Sequence, residues 1–209
     1  MLNKQGFDLW ADQYDTDVRI SEDSQSYPFA GYKRILNRIY GEIMQSDASR
    51  ILDIGFGTAV LTEKLYRNHH HINGIDFSSK MIAVAKEKMP EANLMQWDFT
   101  KGIPCEFKTK EYDFIVSTYA LHHLNDDQKT DLIKELLPIL ADKGAILIGD
   151  IAFRTREHLE RCKEENLSQW DSDEFYFVME EFTSSLEGLC HVEYSVESFC
   201  GGVIHLQKR

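Results

Sequence analysis

The run Ile51-Leu52-Asp53-Ile54-Gly55-Phe56-Gly57-Thr58-Ala59 constrains this chain more than any other stretch. A short apolar segment closes on an acid, and two glycines follow with one residue between them. Thr58–Leu65 then reads as the start of a helix. A buried strand feeding a glycine turn and a helix N-terminus lets backbone N–H groups approach a ligand with no side chains in the way. About 20 residues past Gly55 stands Asp76, at the tip of the next apolar run, where an acid is placed to hold a ribose diol. Together these residues point to a cofactor that carries a nucleoside.

The rest of the chain alternates. Short apolar runs at Ile51–Ile54, Ile72–Asp76, Asn93–Trp97, Tyr112–Ser117 and Ala145–Asp150 read as strands. Between them, Ala59–Asn68, Ser78–Met89 and a stretch from Asn125 toward Ala141 read as helices, the last opened by an Asn125/Gln128 capping box and bent at Pro138. Lys143-Gly144 reads as the turn into the fifth strand. Strand–helix alternation of this kind argues an α/β fold with a parallel sheet covered by helices on both faces. Before it, apolar residues from Tyr32 to Ile43 recur at helical spacing. After it, Arg154–Asn166 and Asp173–Leu189 read as helices, with Arg156/Glu160 and Arg161/Glu165 spaced for ion pairs. Val192–Val196 and Val203–Gln207, joined across Cys200-Gly201-Gly202, form a β-hairpin. The expected organisation is one domain over 1–209. It has an N-terminal helical cap segment (1–48), a cofactor-binding core (49–152), a helical insert (153–188) and the hairpin (189–209).

With 209 residues, 43% of them hydrophobic, the chain can bury one good core. Its formal net charge of −12 speaks against a nucleic-acid partner, because that binding rests on phosphate neutralisation. The four cysteines form no CxxC pair, and no run is long and apolar enough to span a membrane. A cytoplasmic setting is the expectation.

Several of these stretches resemble the class I S-adenosylmethionine-dependent methyltransferases, over nearly the whole chain. Leu52–Ala59 resembles the family's first motif, departing from Gly-x-Gly-x-Gly at Ala59, which is accommodated if that residue lies in the first helical turn. Gly74–Met81 resembles the second, Gln96–Phe99 the third, and Tyr112–Ser117 with Ala120–Leu124 the fourth. Trp10-Ala11-x-x-Tyr14-Asp15 and Val116–Leu124 are similar to a small group of bacterial methyltransferases (YrrT-like). The resemblance implies a Rossmann-like, seven-stranded, mostly parallel sheet ending in an antiparallel hairpin. It implies S-adenosylmethionine as cofactor, with S-adenosylhomocysteine as product. Asp76 would hold the ribose, Asp98 the adenine amino group, and Met81 and Phe99 would flank the ring. Gly55, Gly57, Asp53, Phe77, Ser117 and Tyr14 complete the implied cofactor set. Asp53 either orders the loop or meets the cofactor's amino group, and Tyr14 either reaches the methionine end or packs the N-terminal segment.

No catalytic group is singled out by the sequence. His122 and His123 follow strand four at the ligand-bearing end of the sheet and are candidates for a general base, with Tyr14 beside them. His69-His70-His71 reads as a solvated loop with no acid or cysteine to complete a ligand set, so no metal centre is expected. Asp126-Asp127 and Glu180-Glu181 read as solvated helix faces. The aromatics Tyr14, Tyr27, Phe29, Trp170, Phe175, Tyr176 and Phe177 either form a lid over a small, partly apolar acceptor or cover the sheet edge. Three other readings stay open: a non-catalytic S-adenosylmethionine-binding regulator, an RNA or protein methyltransferase, and an NAD-dependent oxidoreductase. Val60, where a dinucleotide fold has its third glycine, speaks against the last.

Overall fold

A computed structural model describes residues 26–209. Its first helix, α1 (Tyr32–Ile43), buries Ile35, Leu36, Ile39 and Ile43 along one stripe, as their spacing dictates. The alternating region then runs β1 (Arg50–Ile54), α2 (Thr62–Arg67), β2 (His71–Asp76), α3 (Ser79–Lys88), β3 (Asn93–Gln96), α4 (Cys105–Lys108), β4 (Tyr112–Thr118), α5 (Asp126–Leu136) and β5 (Leu140–Phe153). The remainder is α6 (Arg156–Glu165), β6 (Phe177–Val178), α7 (Met179–Ser185), β7 (Cys190–Val196) and β8 (Gly201–Lys208).

The sheet has the order β3-β2-β1-β4-β5-β8-β7, with the two-residue β6 pairing off this path against β5. Strands β1 to β5 are parallel, and β8 runs antiparallel to both β5 and β7. This is the expected mostly parallel α/β sheet with its terminal hairpin. Its strand order reverses between β1 and β4, and ligands of such sheets settle beyond the carboxyl ends at that reversal.

Alternate residues of the central strands serve two cores. Ile51 of β1 and Leu147 of β5 face Ile39, Leu65 and Ile82 of α1, α2 and α3. Leu52 and Ile146 face Phe107, Ile133, Leu136 and Phe182 of α4, α5 and α7. Burial on both faces is why these strands read as unbroken apolar runs. Among the described residues no helix is long and apolar enough to cross a membrane.

Several local expectations are corrected. The Asn125/Gln128 capping box forms, but α5 stops at Leu136. A tight turn holding Pro138 follows, and β5 already begins at Leu140, because proline cannot supply the next helical N–H. Lys143-Gly144 turns the chain as expected, although the turn falls within the span of β5: the pairing with β4 jumps from Tyr112–Leu140 to Phe114–Ala145, and a Cβ at Gly144 would stand 3.1 Å from the Ala141 carbonyl oxygen. Asp173–Leu189 is not one helix. The successive residues Tyr176, Phe177 and Val178 are all buried, which a helical face does not allow, and Phe177-Val178 adds to β5 before the short α7 begins. Phe177 therefore packs on Phe182 in the core rather than in a lid. His70 is buried, not solvated, and its Nδ1 accepts from the Ser49 N–H at 3.1 Å. Arg156 pairs with Glu181, not Glu160, and its N–H donates to Glu180 at 3.0 Å, so the two glutamates tie α7 to the start of α6.

Candidate functional site

The carboxyl end of β1 carries the first group of site residues. Asp53 is fully enclosed: the Thr62 hydroxyl donates to its Oδ2, while its Oδ1 is buried with no hydrogen-bond partner. Burial pushes its carboxyl up to about 7, against the pull of the Thr62 bond and with a further push from Asp76. Gly55 sits at φ +75°, and a Cβ there would lie 2.5 Å from the Ala120 Cβ, so only glycine fits between β1 and the segment after β4. Gly57 is also left-handed (φ +55°), with nothing within 4 Å of where its Cβ would stand. Bare main chain is thus exposed at the strand-order reversal. Ala59 does not lie in the first helical turn. It is left-handed at φ +63°, and α2 starts only at Thr62. An L-residue there carries strain, and its methyl group is fully buried in the core.

Asp76, at the end of β2, closes this loop from the neighbouring strand. Its Oδ2 accepts from the Gly57 N–H and its Oδ1 from the Ser78 N–H, each at 2.8 Å. Phe77 is partly exposed beside it, and the buried Met81 lies in the first turn of α3, its N–H bonded to Ser78 Oγ at 3.3 Å. The Trp97 N–H donates to the Asp76 carbonyl at 2.8 Å, which sets Asp98 and Phe99 next to this edge.

The Phe99 ring comes within 3.6 Å of the position a Gly55 Cβ would take. The Asp98 carboxylate itself is turned to its own turn: Oδ1 accepts from the Thr100 N–H (3.1 Å) and hydroxyl (2.6 Å), and Oδ2 pairs with Lys101 at 3.3 Å. Burial raises its pKa, but these partners outweigh burial and hold it below the ordinary range. The Ser117 hydroxyl is likewise engaged, donating to the Ile54 carbonyl at 2.7 Å.

The ends of β4 and β5 bring in the histidines. Tyr119 leaves β4 in a left-handed conformation (φ +50°), strained for a residue with a large side chain, and this swings Leu121–His123 over the sheet end. His122 is buried, with Nδ1 2.6 Å from Asp150 Oδ1 and Nε2 3.5 Å from Glu174 Oε1. Burial pulls its pKa down, but Asp150 and Glu174 outweigh burial and hold it above the ordinary value. Burial, with His122 adjacent, takes His123 down to about 3. The Glu174 segment is fastened at two points: the Phe175 N–H donates to the His122 carbonyl at 2.7 Å, and the buried Lys129 Nζ donates to the Phe175 carbonyl at 2.5 Å. Tyr176 donates to Glu174 Oε2 at 2.7 Å and is bonded to Tyr27, whose ring stacks on Trp170 at 5.4 Å.

The structure therefore gathers Asp53, Gly55, Gly57, Asp76, Phe99 and Ser117 at one rim, with His122 and His123 following the Ala120 contact. Tyr14, and with it Trp10–Asp15, lies outside the described residues. Sequence reasoning misses Asp150 and Glu174. Asp150 carries a signal, an acid closing an apolar strand as Asp76 does; Glu174 carries none, being embedded in a stretch that reads as helix.

Comparison with known proteins gives the family and the fold. The methyltransferase-domain family matches residues 51–144. An uncharacterized methyltransferase of Oceanobacillus iheyensis is 34% identical over 72% of this chain and 68% of that relative. One of Anoxybacillus flavithermus is 31% identical over 89% and 84%. Among solved structures, a DhpI complex with S-adenosylhomocysteine superposes with TM-score 0.71 at 16% identity, covering 97% of this chain and 93% of that one. The magnesium protoporphyrin IX methyltransferase of Synechocystis with bound S-adenosylhomocysteine gives 0.69 at 15% identity, covering 99% and 100%. The chain belongs to the class I S-adenosylmethionine-dependent methyltransferases. S-adenosylmethionine is its methyl donor, and the residues present fit it. Asp53 offers an unpartnered buried oxygen suited to a cationic group, and the open face of Gly57 leaves room against the main chain.

Proposed function

We propose that this methyltransferase acts on a small-molecule acceptor in the cytoplasm, with residues 1–209 working as one unit. The observation that carries the reading is the meeting of two differently built halves at one rim. One half is bare main chain and carboxylates around Gly55, Gly57, Asp53 and Asp76; the other is the enclosed aromatic group Tyr27, Trp170 and Tyr176 beside His122 and Glu174.

The cofactor supplies an electrophilic methyl group on an excellent leaving group, so the protein's main tasks are alignment and exclusion of water. In this reading the Asp76 carboxylate accepts from the ribose hydroxyls, and Asp53 Oδ1 receives the amino group. Phe99 and Met81 bound the adenine, with Asp98 near its amino group. Carboxylates at 53 and 76 also suit a cationic sulfonium electrostatically. The 153–188 insert and the segment before α1 define the acceptor side, where stacked and edge-on rings favour a compact, partly apolar molecule. The net charge of −12 supports a small acceptor over RNA or DNA. The four cysteines, all free thiols, accord with a reducing compartment.

The test is a label-transfer experiment. The full chain is incubated with methyl-labelled S-adenosylmethionine and a bacterial extract, then separated into small-molecule, protein and RNA fractions. Label in the small-molecule fraction is expected; label confined to protein or RNA would overturn the acceptor assignment.

A further inference from the structure

His122, His123 and Glu174 each present one potential ligand atom, and these atoms lie within 4.8 Å of one another. The sequence expectation of no metal centre rests on His69-His70-His71 and does not weigh this group, whose acid comes from a distant segment.

One pair in this set already stands at the separation that a shared ion sets, and His123 has to close on the ion from within the 4.8 Å span of the group. His122 Nε2 and Glu174 Oε1 stand 3.5 Å apart, long for a hydrogen bond between a ring N–H and a carboxylate. Two ligand atoms bound to one ion at about 2.1 Å each, at a tetrahedral angle, are separated by roughly 3.4 Å.

Both ligands are also oriented through their other polar atom. His122 Nδ1 is held by Asp150 Oδ1 at 2.6 Å, the carboxylate–histidine arrangement that stands behind metal-bound imidazoles and fixes their tautomer. Glu174 Oε2 accepts from Tyr176 at 2.7 Å, leaving Oε1 directed at His122. The Phe175 bonds to the His122 carbonyl and to Lys129 keep the glutamate in register with the histidine turn.

We propose that His122, His123 and Glu174 bind one divalent metal ion of the zinc class, with Asp150 and Tyr176 orienting two of the ligands. Three protein ligands leave a fourth position for water or for the acceptor's heteroatom, the pattern of reactive rather than purely structural zinc sites. Bound there, a hydroxyl or thiol loses its proton to solvent water more readily, because the ion stabilises the anion. The same arrangement accounts for His122 Nε2 facing Glu174 instead of an open acceptor side. The proposal goes beyond the methyl-transfer reading and does not depend on which acceptor is used.

The test is metal binding by the metal-stripped full chain, read by equilibrium dialysis with Zn²⁺ and by the visible spectrum of Co²⁺. One equivalent per chain with a tetrahedral Co²⁺ spectrum, displaced by Zn²⁺, is expected. Glu174→Gln should weaken binding at least tenfold and Asp150→Asn by 10- to 100-fold, about the usual loss when a group behind a metal ligand is removed. A His69→Ala/His71→Ala double variant should bind as wild type does. Circular dichroism and S-adenosylmethionine binding report whether each variant is folded, and His123→Gln replaces Glu174→Gln if that chain does not fold. Failure to bind one equivalent, undiminished binding in the folded ligand variant, or loss of binding in the His69/His71 variant overturns the proposal. Retained S-adenosylmethionine binding in the metal-stripped protein separates such a failure from a failure of the methyltransferase reading.

Discussion

Replacing Asp53 by Asn tests the electrostatics of the glycine loop in the absence of any ligand. The Asp53 carboxyl is fully buried with an orphaned oxygen, and its pKa stands at about 7 against an ordinary 3.8. The folded protein therefore keeps this proton up to near pH 7, while the unfolded chain releases it near pH 4. Between those values the unfolded state binds fewer protons, so raising the pH favours unfolding. The shift is about 3 pKa units at about 1.36 kcal/mol each, so the penalty starts near pH 4 and levels off at about 4 kcal/mol above pH 7. Asparagine has the shape of the protonated acid and does not titrate. The stability of Asp53→Asn relative to wild type should then rise by roughly 2–3 kcal/mol between pH 5 and pH 8. Urea unfolding of the ligand-free proteins at the two pH values measures this. A difference that does not change with pH would refute the burial argument, whatever its size.

Gly55→Ala should destabilise the protein by at least about 1–2 kcal/mol, the cost of a left-handed L-residue, before the contact with Ala120 is counted. Denaturant unfolding checks it, and unchanged stability would mean that the loop can relax. Lys129→Met keeps the length of the side chain but removes the charged donor that binds the Phe175 carbonyl and Asp126 Oδ1, a loss of about 1.5–3 kcal/mol for hydrogen bonds to a charged group. Limited proteolysis should then cut the 167–176 segment faster, and an unaltered digestion pattern would refute the clamp.

Much of the architecture is legible because it rests on local rules. Strands buried on both faces must be apolar throughout, so β1, β4 and β5 announce themselves as runs such as Ala145–Ile148. Gly55 is readable for a related reason: only a residue without a Cβ passes Ala120 at φ +75°. What stays hidden depends on partners far along the chain. Glu174 gains its place through the bonds of Phe175 to the His122 carbonyl and to Lys129, and through its own bond from Tyr176. His70 looks like part of a polar cluster until Ser49 supplies its N–H. β6 is too short to show a period, and it is a strand because the end of β5 is there to pair with it. Ala59 misleads because its methyl group gives no hint of a left-handed backbone.

Calorimetric titration of wild type and Asp76→Ala with S-adenosylmethionine tests the placement of the cofactor most directly. Wild type should bind one equivalent saturably, and the variant, folded by circular dichroism, should lose most of that affinity because it lacks both the ribose acceptor and the carboxylate that holds Gly57 and Ser78. Undiminished binding in the variant would contradict the account, since the rim formed by the ends of β1 and β2 would then not be where the cofactor's ribose is held.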